Sequence, residues 1–90
     1  MSAPQIVICH RRWIFVGYVS AEEGSMGREI VVRQASVLRR WGTTKGLGEL
    51  RGGPRPNTIL DPVGVVRLHP MQVIGRIELD AKAWKEKLGS

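Results

Sequence analysis

Arginines and an indole stand side by side in the middle of the chain, at Arg39, Arg40 and Trp41. An indole face stacks on a nucleobase, which contributes about 1–3 kcal/mol per base. Guanidinium groups bind phosphates through paired hydrogen bonds. In a strand, alternation places Arg40 on the face opposite to Arg39 and Trp41. The segment predicts a site for a nucleotide-type ligand, and the alternative is a core Trp41 with a solvated rim of arginines.

The residues that follow Trp41 have the ingredients of an anion site. Thr43, Thr44 and Lys45 can all donate hydrogen bonds, and Gly46 comes directly after them. Backbone N–H groups at a helix start carry partial positive charge, and glycine allows an anion to approach closely. The spacing of a Walker phosphate loop is absent, so NTP hydrolysis is not supported. The alternative interpretation is an ordinary strand-to-helix turn with a solvated lysine.

Further arginines surround this segment. Arg51 and Arg55 lie on a Gly/Pro-rich loop, residues 51–57, and extend the basic patch if the loop folds back beside Trp41. A second basic cluster is predicted at the opposite end of a hairpin, formed by Arg11, Arg12 and Arg28. Two separated basic clusters suit a symmetric homo-oligomer in which the patch of one subunit meets another subunit.

Catalytic groups in a recognisable arrangement are missing from the sequence. His10 and His69 belong to different predicted strands, and no histidine, cysteine or carboxylate spacing typical of a metal site is present. The few carboxylates fall mostly in loops or at strand ends, and there is no Gly-x-Ser-x-Gly elbow. We therefore expect no enzyme, no metal and no cofactor, with structural roles for both histidines.

Composition narrows the class of protein. The chain has 90 residues, a length that predicts one domain over residues 1–90. A net charge of +6 favours phosphate-bearing partners, namely nucleotides, nucleic acid or an anionic surface. The lone Cys9 excludes an intramolecular disulfide and is expected to be a buried small hydrophobe. Neither a signal peptide nor an apolar run of membrane-spanning length is visible, so we expect a cytoplasmic protein without a membrane partner.

The first half of the chain is predicted to be strands. Residues 5–11 form an apolar β-branched run, and residues 12–20 are apolar on both faces, which indicates a central or doubly covered strand. A tight turn at residues 10–12 or one long bent strand would join them. Residues 21–27 are a loop by composition, and residues 28–40 alternate, which predicts a hairpin with the preceding strand.

The second half alternates between short elements. Thr43 or Thr44 is the expected N-cap of a short helix that ends near Leu50. Three further strands are predicted at residues 58–60, 63–69 and 71–80, with a turn at residues 61–62. Asp80 is the expected N-cap of a C-terminal helix over residues 81–88 that buries Trp84 and Leu88 on one face. These elements predict a mainly β (α+β) fold, with a core over residues 5–80. It is a small, strongly bent antiparallel sheet or barrel of five to six strands with two short helices.

The order of these segments resembles a family of small tailed-phage proteins of unknown function. The matching features are a Gly-x-Glu-Ile-Val-Val strand, a Trp–Gly segment, a Leu-x-x-Leu helix and a late aliphatic strand. Their residues here are Gly27, Glu29–Val32, Ala35, Leu38–Gly42, Leu47–Leu50, Gly52, Val73 and Ile74. Two positions depart from the family pattern. Thr43 stands where the family often has a second aromatic residue, and Arg51 where alanine commonly follows the helical leucine.

In size, charge and residue types the chain also resembles viral sponge proteins, oligomers that sequester the cyclic nucleotides of bacterial immune systems. That resemblance implies a phage-encoded, non-enzymatic homo-oligomer in the cytoplasm of an infected bacterium. Its ligand would be a cyclic di- or trinucleotide. Two alternatives stay open: a small basic nucleic-acid-binding module, and a structural or interaction protein of the phage without a nucleotide ligand.

Overall fold

A single antiparallel sheet forms the frame of the protein in the computed structural model, which describes residues 3–24, 27–44 and 46–88. The strands are β1 (Gln5–Cys9), β2 (Ile14–Gly24), β3 (Gly27–Arg40), β4 (Ile59–Leu68) and β5 (Val73–Glu78). Their order in the sheet is β4-β3-β2-β1-β5. Two short helices accompany it, a 3-10 helix at Leu47–Gly52 and α1 at Ala81–Trp84. The predicted mainly β fold is confirmed.

The sheet is strongly bent, because its two edge strands follow each other in the chain. Only His69 and a 3-10 turn at Pro70–Gln72 separate β4 from β5. The end of β4 pairs with Ile30 of β3, whereas the start of β5 pairs with Cys9 of β1. So short a connection brings the two edges together at this end. No β4–β5 pairing occurs among the described residues, so the sheet is not closed.

Both faces of the sheet are covered by apolar side chains. On the first face the helices pack over the buried residues Ile6, Ile14, Val16, Leu38, Leu50, Leu79, Trp84 and Leu88. The second face curls around Val7, Cys9, Phe15, Val32 and Ala35. Since β2 contributes to both clusters, the prediction of a doubly covered strand at this place is confirmed.

The hairpin of β2 and β3 is confirmed. The loop predicted at residues 21–27 is wrong for residues 21–24 and 27, and residues 25 and 26 lie outside the described residues. Strand pairing continues through Ala21 opposite Ile30 as far as Gly24 opposite Gly27. Cross-strand partners override the loop-like composition, as they commonly do for strand propensity. A tight turn at His10–Arg12 separates β1 from β2, which confirms the turn rather than one long strand.

The predicted turn at residues 61–62 is also wrong, because Pro62 lies inside β4 opposite Ser36. A proline is tolerated there since β4 is an edge strand and its missing N–H leaves no ladder bond unmade. The last strand begins at Val73 instead of residue 71. Before it, Nδ1 of His69 accepts a hydrogen bond of 3.1 Å from the backbone N–H of Met71, so His69 caps the 3-10 turn.

The first helix begins and ends later than predicted, at Leu47–Gly52, and the C-terminal helix is shorter than predicted, at Ala81–Trp84. The N-cap of the 3-10 helix is Gly46, without a side-chain cap, so the expectation of Thr43 or Thr44 at this position is wrong. Asp80 does cap α1, accepting from the N–H groups of Lys82 and Ala83. Turns continue the C-terminal segment beyond Trp84 as far as Leu88. The indole N–H of Trp84 donates to the carbonyl oxygen of Leu50 at 2.7 Å, and this bond ties the two helices together.

Candidate ligand-binding site

A cavity of about 650 Å³ opens where the β1–β2 turn, the end of β3 and the start of the 3-10 helix meet. Its apolar walls come from several elements: Ile8, Ile14, Leu38, Leu47 and Ile74. The remaining lining residues are Cys9, His10, Arg11, Arg12, Arg39 and Trp41. The volume is in the usual range for small-molecule sites, and an apolar floor with a few polar groups is the usual composition of such sites. We call this space the Trp41 cavity.

Contacts to the backbone of Trp41 and of the next residue hold Trp41 in place at the cavity. The hydroxyl of Thr58 donates to the carbonyl oxygen of Trp41, and the N–H of Arg55 donates to that hydroxyl at 2.8 Å. The next residue, Gly42, has a φ of 69° and lies against the backbone of Asn57 and Thr58. The Trp41 side chain itself is 40% exposed. Trp41 is therefore not a core residue, and it faces the cavity.

The two arginines that precede Trp41 differ in position. Arg39 lines the cavity and Arg40 does not, which agrees with strand alternation. The Arg39 guanidinium is bound to the carboxylate of Asp61, with N–O distances of 2.7 and 3.4 Å. Arg39 therefore reaches the cavity with its charge already compensated by a neighbouring strand.

Arg11 and Arg12 belong to the same cavity, although the sequence analysis assigned them to a separate cluster. Both are exposed, and the described part of the chain offers neither of them an ion pair or a side-chain hydrogen bond. The β1–β2 turn carries them to the first-face side of the sheet. The uncompensated positive charge of the cavity therefore comes from this turn.

Arg28, the third member predicted for that cluster, lies far from the other two. It sits near the β2–β3 turn, where it is 3.6 Å from Glu23. The whole length of β2, residues 14–24, separates it from Arg12. At about 3.3 Å per strand residue, that is roughly 35 Å of chain. The structure does not bring these three arginines together.

The predicted anion site after Trp41 is occupied by the protein's own carboxylate. The backbone N–H and the hydroxyl of Thr44 both donate to Oε2 of Glu49, at 3.2 and 3.4 Å. Thr43 is half-buried and does not line the cavity. Lys45 lies outside the described residues. Glu49 therefore satisfies the Thr44 groups that the sequence assigned to a ligand.

The Gly/Pro-rich loop folds back beside Trp41, but its arginine side chains are directed elsewhere. Arg55 pairs with Glu49 at 3.1 Å, and neither of these residues lines the cavity. Arg51 lies near Glu78 and Asp80 in a separate shallow depression. Of the predicted ligand-binding residues, the structure thus joins Arg39 and Trp41 to Arg11 and Arg12, and it leaves Arg40, Thr43, Thr44, Arg51 and Arg55 outside the cavity.

Several lining residues carried no functional signal in the sequence. Ile8 and Ile74 meet because β5 pairs with β1, with a bulge between Ile8 and Cys9. Ile74 is 62% exposed, and strand alternation places it on the face of Arg76 and Glu78, but nothing in the sequence near it indicates a cavity. His10 was assigned a structural role, but it lies on the rim of the cavity. Only the pairing of the first and last strands creates this wall.

Trp13 offers a useful contrast to Trp41. Trp13 directly precedes β2 and is 56% exposed, so it is not a core residue either. It stacks on Phe15 with a ring-centroid distance of 6.2 Å and an interplanar angle of 10°. Trp13 does not line the cavity, although its neighbours Arg12 and Ile14 do.

The titratable groups at the cavity limit its chemistry. Burial raises the pKa of the Cys9 thiol, which keeps it protonated near neutral pH. No carboxylate belongs to the described lining residues. Within residues 3–24, 27–44 and 46–88, no group of histidine, cysteine and acidic side chains is arranged to hold a metal ion. None of the helices in these same ranges is long and apolar enough to cross a membrane.

Comparisons with protein-family models, curated proteins and solved structures gave no match, so the function has to be inferred from the site itself.

Proposed function

We propose that this protein is a non-enzymatic binder of a nucleotide-type ligand, with the base against Trp41 and the phosphates at the β1–β2 turn. One observation carries the proposal: an exposed indole, an apolar floor and uncompensated arginines line the same cavity. The indole and the aliphatic walls suit a flat base, and guanidinium groups suit phosphate oxygens. The described lining residues include His10 but no carboxylate to pair with it, so they offer no acid–base pair, and this favours binding over catalysis.

The specific form that the sequence resemblance implies is a phage sponge, which holds a cyclic di- or trinucleotide of bacterial immunity in the infected cell. A homo-oligomer belongs to this proposal. It is supported by exposed apolar residues at both edges of the sheet, among them Val63 and Val65 on β4 and Met71 and Ile74 beside β5. Native mass spectrometry of protein purified from a host that makes cyclic nucleotides would report subunit number and retained ligand in one spectrum.

Isothermal titration tests the site with matched pairs of variants. The titrants are adenosine, guanosine, their monophosphates, and cyclic di- and trinucleotides. We expect Trp41→Ala to weaken binding by about 1–3 kcal/mol, and Trp13→Ala, which removes an exposed indole outside the cavity, to leave it unchanged. Equal losses in both variants, or none in either, would show that the base does not stack on Trp41.

Arginine variants supply the second pair. Arg12→Ala removes an uncompensated charge at the cavity, whereas Arg40→Ala removes an exposed charge outside it. The first should weaken binding by about 1.5–3 kcal/mol, and the second should have no effect. If no titrant binds the wild-type protein, the proposed function is wrong.

Nucleic-acid binding is the second candidate function, favoured by the net charge of +6. The two candidates differ in their salt dependence. A cyclic di- or trinucleotide is too small to carry the condensed counterions of a nucleic-acid strand, so its binding at Arg11 and Arg12 should depend only weakly on salt. A nucleic-acid track would engage more of the exposed cations and give a steeper slope that grows with oligonucleotide length. Titration of a short and a long oligonucleotide at several salt concentrations separates the two.

A further inference from the structure

The β1–β2 turn has an unusual backbone for its sequence. Arg11 has φ and ψ of 62° and 28°, and Arg12 has a φ of 66°, so both central residues are left-handed. The N–H of Trp13 approaches the carbonyl oxygen of His10 at 3.5 Å, and the N–H of Cys9 donates to Trp13 at 2.8 Å. Positive φ at both central residues is the feature of a type I′ turn, for which Asn-Gly is the preferred pair. Because Ile8 pairs with Ile14, three residues, His10–Arg12, connect the two strands instead of the usual two.

Arginine is a poor residue for this conformation, because its Cβ crowds the backbone when φ is positive. Elsewhere among the described residues φ is positive at glycines, as at Gly42 and Gly64, and at Gln34, where the register of β3 shifts against both neighbouring strands. At the β1–β2 turn it places two arginines, and no ion pair or side-chain hydrogen bond from the described residues holds either of them. Left-handed non-glycine residues of this kind concentrate at functional sites, where the side chain is needed at that position.

The turn also supplies the uncompensated charge of the Trp41 cavity. Arg39 lines the cavity too, but Asp61 neutralises it at 2.7 Å. Arg11 and Arg12 are adjacent in the chain, so their backbones are fixed about 3.8 Å apart. Two neighbouring guanidinium groups at one rim match an anion that carries two negative charges close together, and a singly charged ligand would satisfy only one of them.

We propose that the Arg11–Arg12 turn is a phosphate-binding element that selects doubly charged ligands, and that its unfavourable backbone is retained because it places both guanidinium groups at the Trp41 cavity. The ligand class is a terminal phosphate, a diphosphate or a pair of linked phosphodiesters. The inference rests on the proposed function for the identity of the organic part of the ligand. The binding of the phosphate groups is inferred from the β1–β2 turn alone.

The decisive variant replaces the turn with its preferred residues, Arg11→Asn with Arg12→Gly. We expect the melting temperature to rise by about 4 °C or more, because the new residues suit a positive φ at both positions. In the same variant, affinity for a cyclic dinucleotide should fall at least about 30-fold, since two charge-assisted contacts are lost. Affinity for an uncharged nucleoside should stay within about twofold of the wild type.

A charge-preserving variant, Arg11→Lys with Arg12→Lys, controls for the charge itself. It keeps both positive charges and the unfavourable backbone, so we expect dinucleotide affinity within about tenfold of wild type and an unchanged melting temperature. A gain in stability together with a loss of binding in the Asn/Gly variant would not arise if the arginines only served the fold.

Inorganic pyrophosphate separates the two proposals. At matched ionic strength it should raise the melting temperature of the wild-type protein and leave that of the Asn/Gly variant unchanged. Pyrophosphate stabilisation without any nucleotide binding would retain the turn as a phosphate element and reject the proposed function. Nucleotide binding that the Asn/Gly variant leaves unchanged would reject the turn as the phosphate site, and would retain only the binding of a nucleotide-type ligand with its base against Trp41. If neither ligand acts on the wild type, both proposals are wrong.

Discussion

The two ends of the β2–β3 ribbon use the same residue type in opposite ways. At the end near residues 22–33, the arginines are bound by the protein's own carboxylates: Arg33 to Glu22 at 2.8 Å, and Arg28 to Glu23 at 3.6 Å. At the other end, Arg11 and Arg12 have no such partner among the described residues and stand beside an open apolar cavity. The sequence analysis grouped Arg28 with Arg11 and Arg12 because a sequence shows which residues are charged but not which of them form ion pairs.

This difference distinguishes a charged surface, where arginines form ion pairs, from a binding site, where arginines can still bind a ligand. Exposed cross-strand ion pairs contribute little to stability, and their charges are largely compensated toward solvent. Arginines left uncompensated next to an apolar depression can form new charge-assisted hydrogen bonds when a ligand arrives. Net charge is therefore a weak guide to the binding end of this protein, and the local balance of cations and carboxylates is a better one.

The largest effect is expected from glycines with positive φ at the two ends. At Gly42, a Cβ would lie 2.5 Å from the Asn57 carbonyl carbon and 2.6 Å from the Thr58 nitrogen, so backbone has to move. At Gly27, a Cβ would meet no described atom within 4 Å. Urea denaturation should show a loss of roughly 3 kcal/mol for Gly42→Ala and about 1 kcal/mol for Gly27→Ala. Equal losses in the free energy of unfolding would mean that the backbone packs no more tightly around Gly42, beside the cavity, than around Gly27.

A smaller effect is expected where Glu49 holds the strand-to-helix junction. Its side chain is 17% exposed and accepts from the backbone and hydroxyl of Thr44 as well as from Arg55. Glu49→Gln keeps the shape and removes the charge, so we expect a loss of about 1–2 kcal/mol in the free energy of unfolding. The matched control is Glu86→Gln, which makes the same change at an exposed position. Phosphate affinity should not increase, and an increase would restore Thr44 as a ligand-binding residue.

At the far end, a pH effect follows from the ion pairs. Hydrogen bonds from Ser20 and then from Arg33 hold the pKa of Glu22 below its ordinary value. A depressed pKa in the folded state stabilises the protein above the ordinary carboxyl pKa, and this contribution disappears as the pH falls through the folded-state pKa. Arg33→Gln should raise the Glu22 pKa in an NMR titration and leave ligand affinity unchanged. A change in affinity would connect the two ends.

The smallest effect concerns Cys9, which directly precedes the β1–β2 turn. Burial raises its pKa, so iodoacetamide should alkylate the native protein slowly near pH 8 and the urea-unfolded protein quickly. The raised pKa also means that stability falls as the pH rises above the ordinary thiol value. Mass spectrometry over time measures the alkylation. Rapid reaction of the native protein would show that the cavity exposes the thiol.

The fold was largely predictable, because burial on both faces of β2 and the alternation of β3 are local patterns in the sequence. Pro62 and the residues around Glu22 were misassigned for a common reason. A proline is acceptable on an edge strand, and polar residues are acceptable in a two-stranded ribbon exposed to solvent. The sequence does not show which strand is an edge or which strands form such a ribbon, because both depend on the order of strands in the sheet.

The site was predictable only in part. Arg39 and Trp41 were predicted to share a face because residues two apart in a strand point to the same side, and both line the cavity. Arg11 and Arg12 were identified as basic residues of interest and assigned to a separate cluster. Their distance from Trp41 along the chain carries no information about their distance in space. Thr44 was misjudged because its partner, Glu49, reaches it by bending back over five residues.

The sequence by itself indicated the first two strands, the start of the C-terminal helix, the burial of Trp84 and Cys9, and the excess of positive charge, since each follows from composition or from neighbours in the chain. Only the tertiary structure decided where that charge is left uncompensated. The antiparallel register seats Glu22, Glu29 and Asp61 beside arginines of adjacent strands. Pairing of β5 with β1 then forms the wall of a cavity beside the β1–β2 turn, and the described residues that line this cavity include no carboxylate. An ion pair depends on the distance between two side chains in space, and the order of residues along the chain does not give that distance.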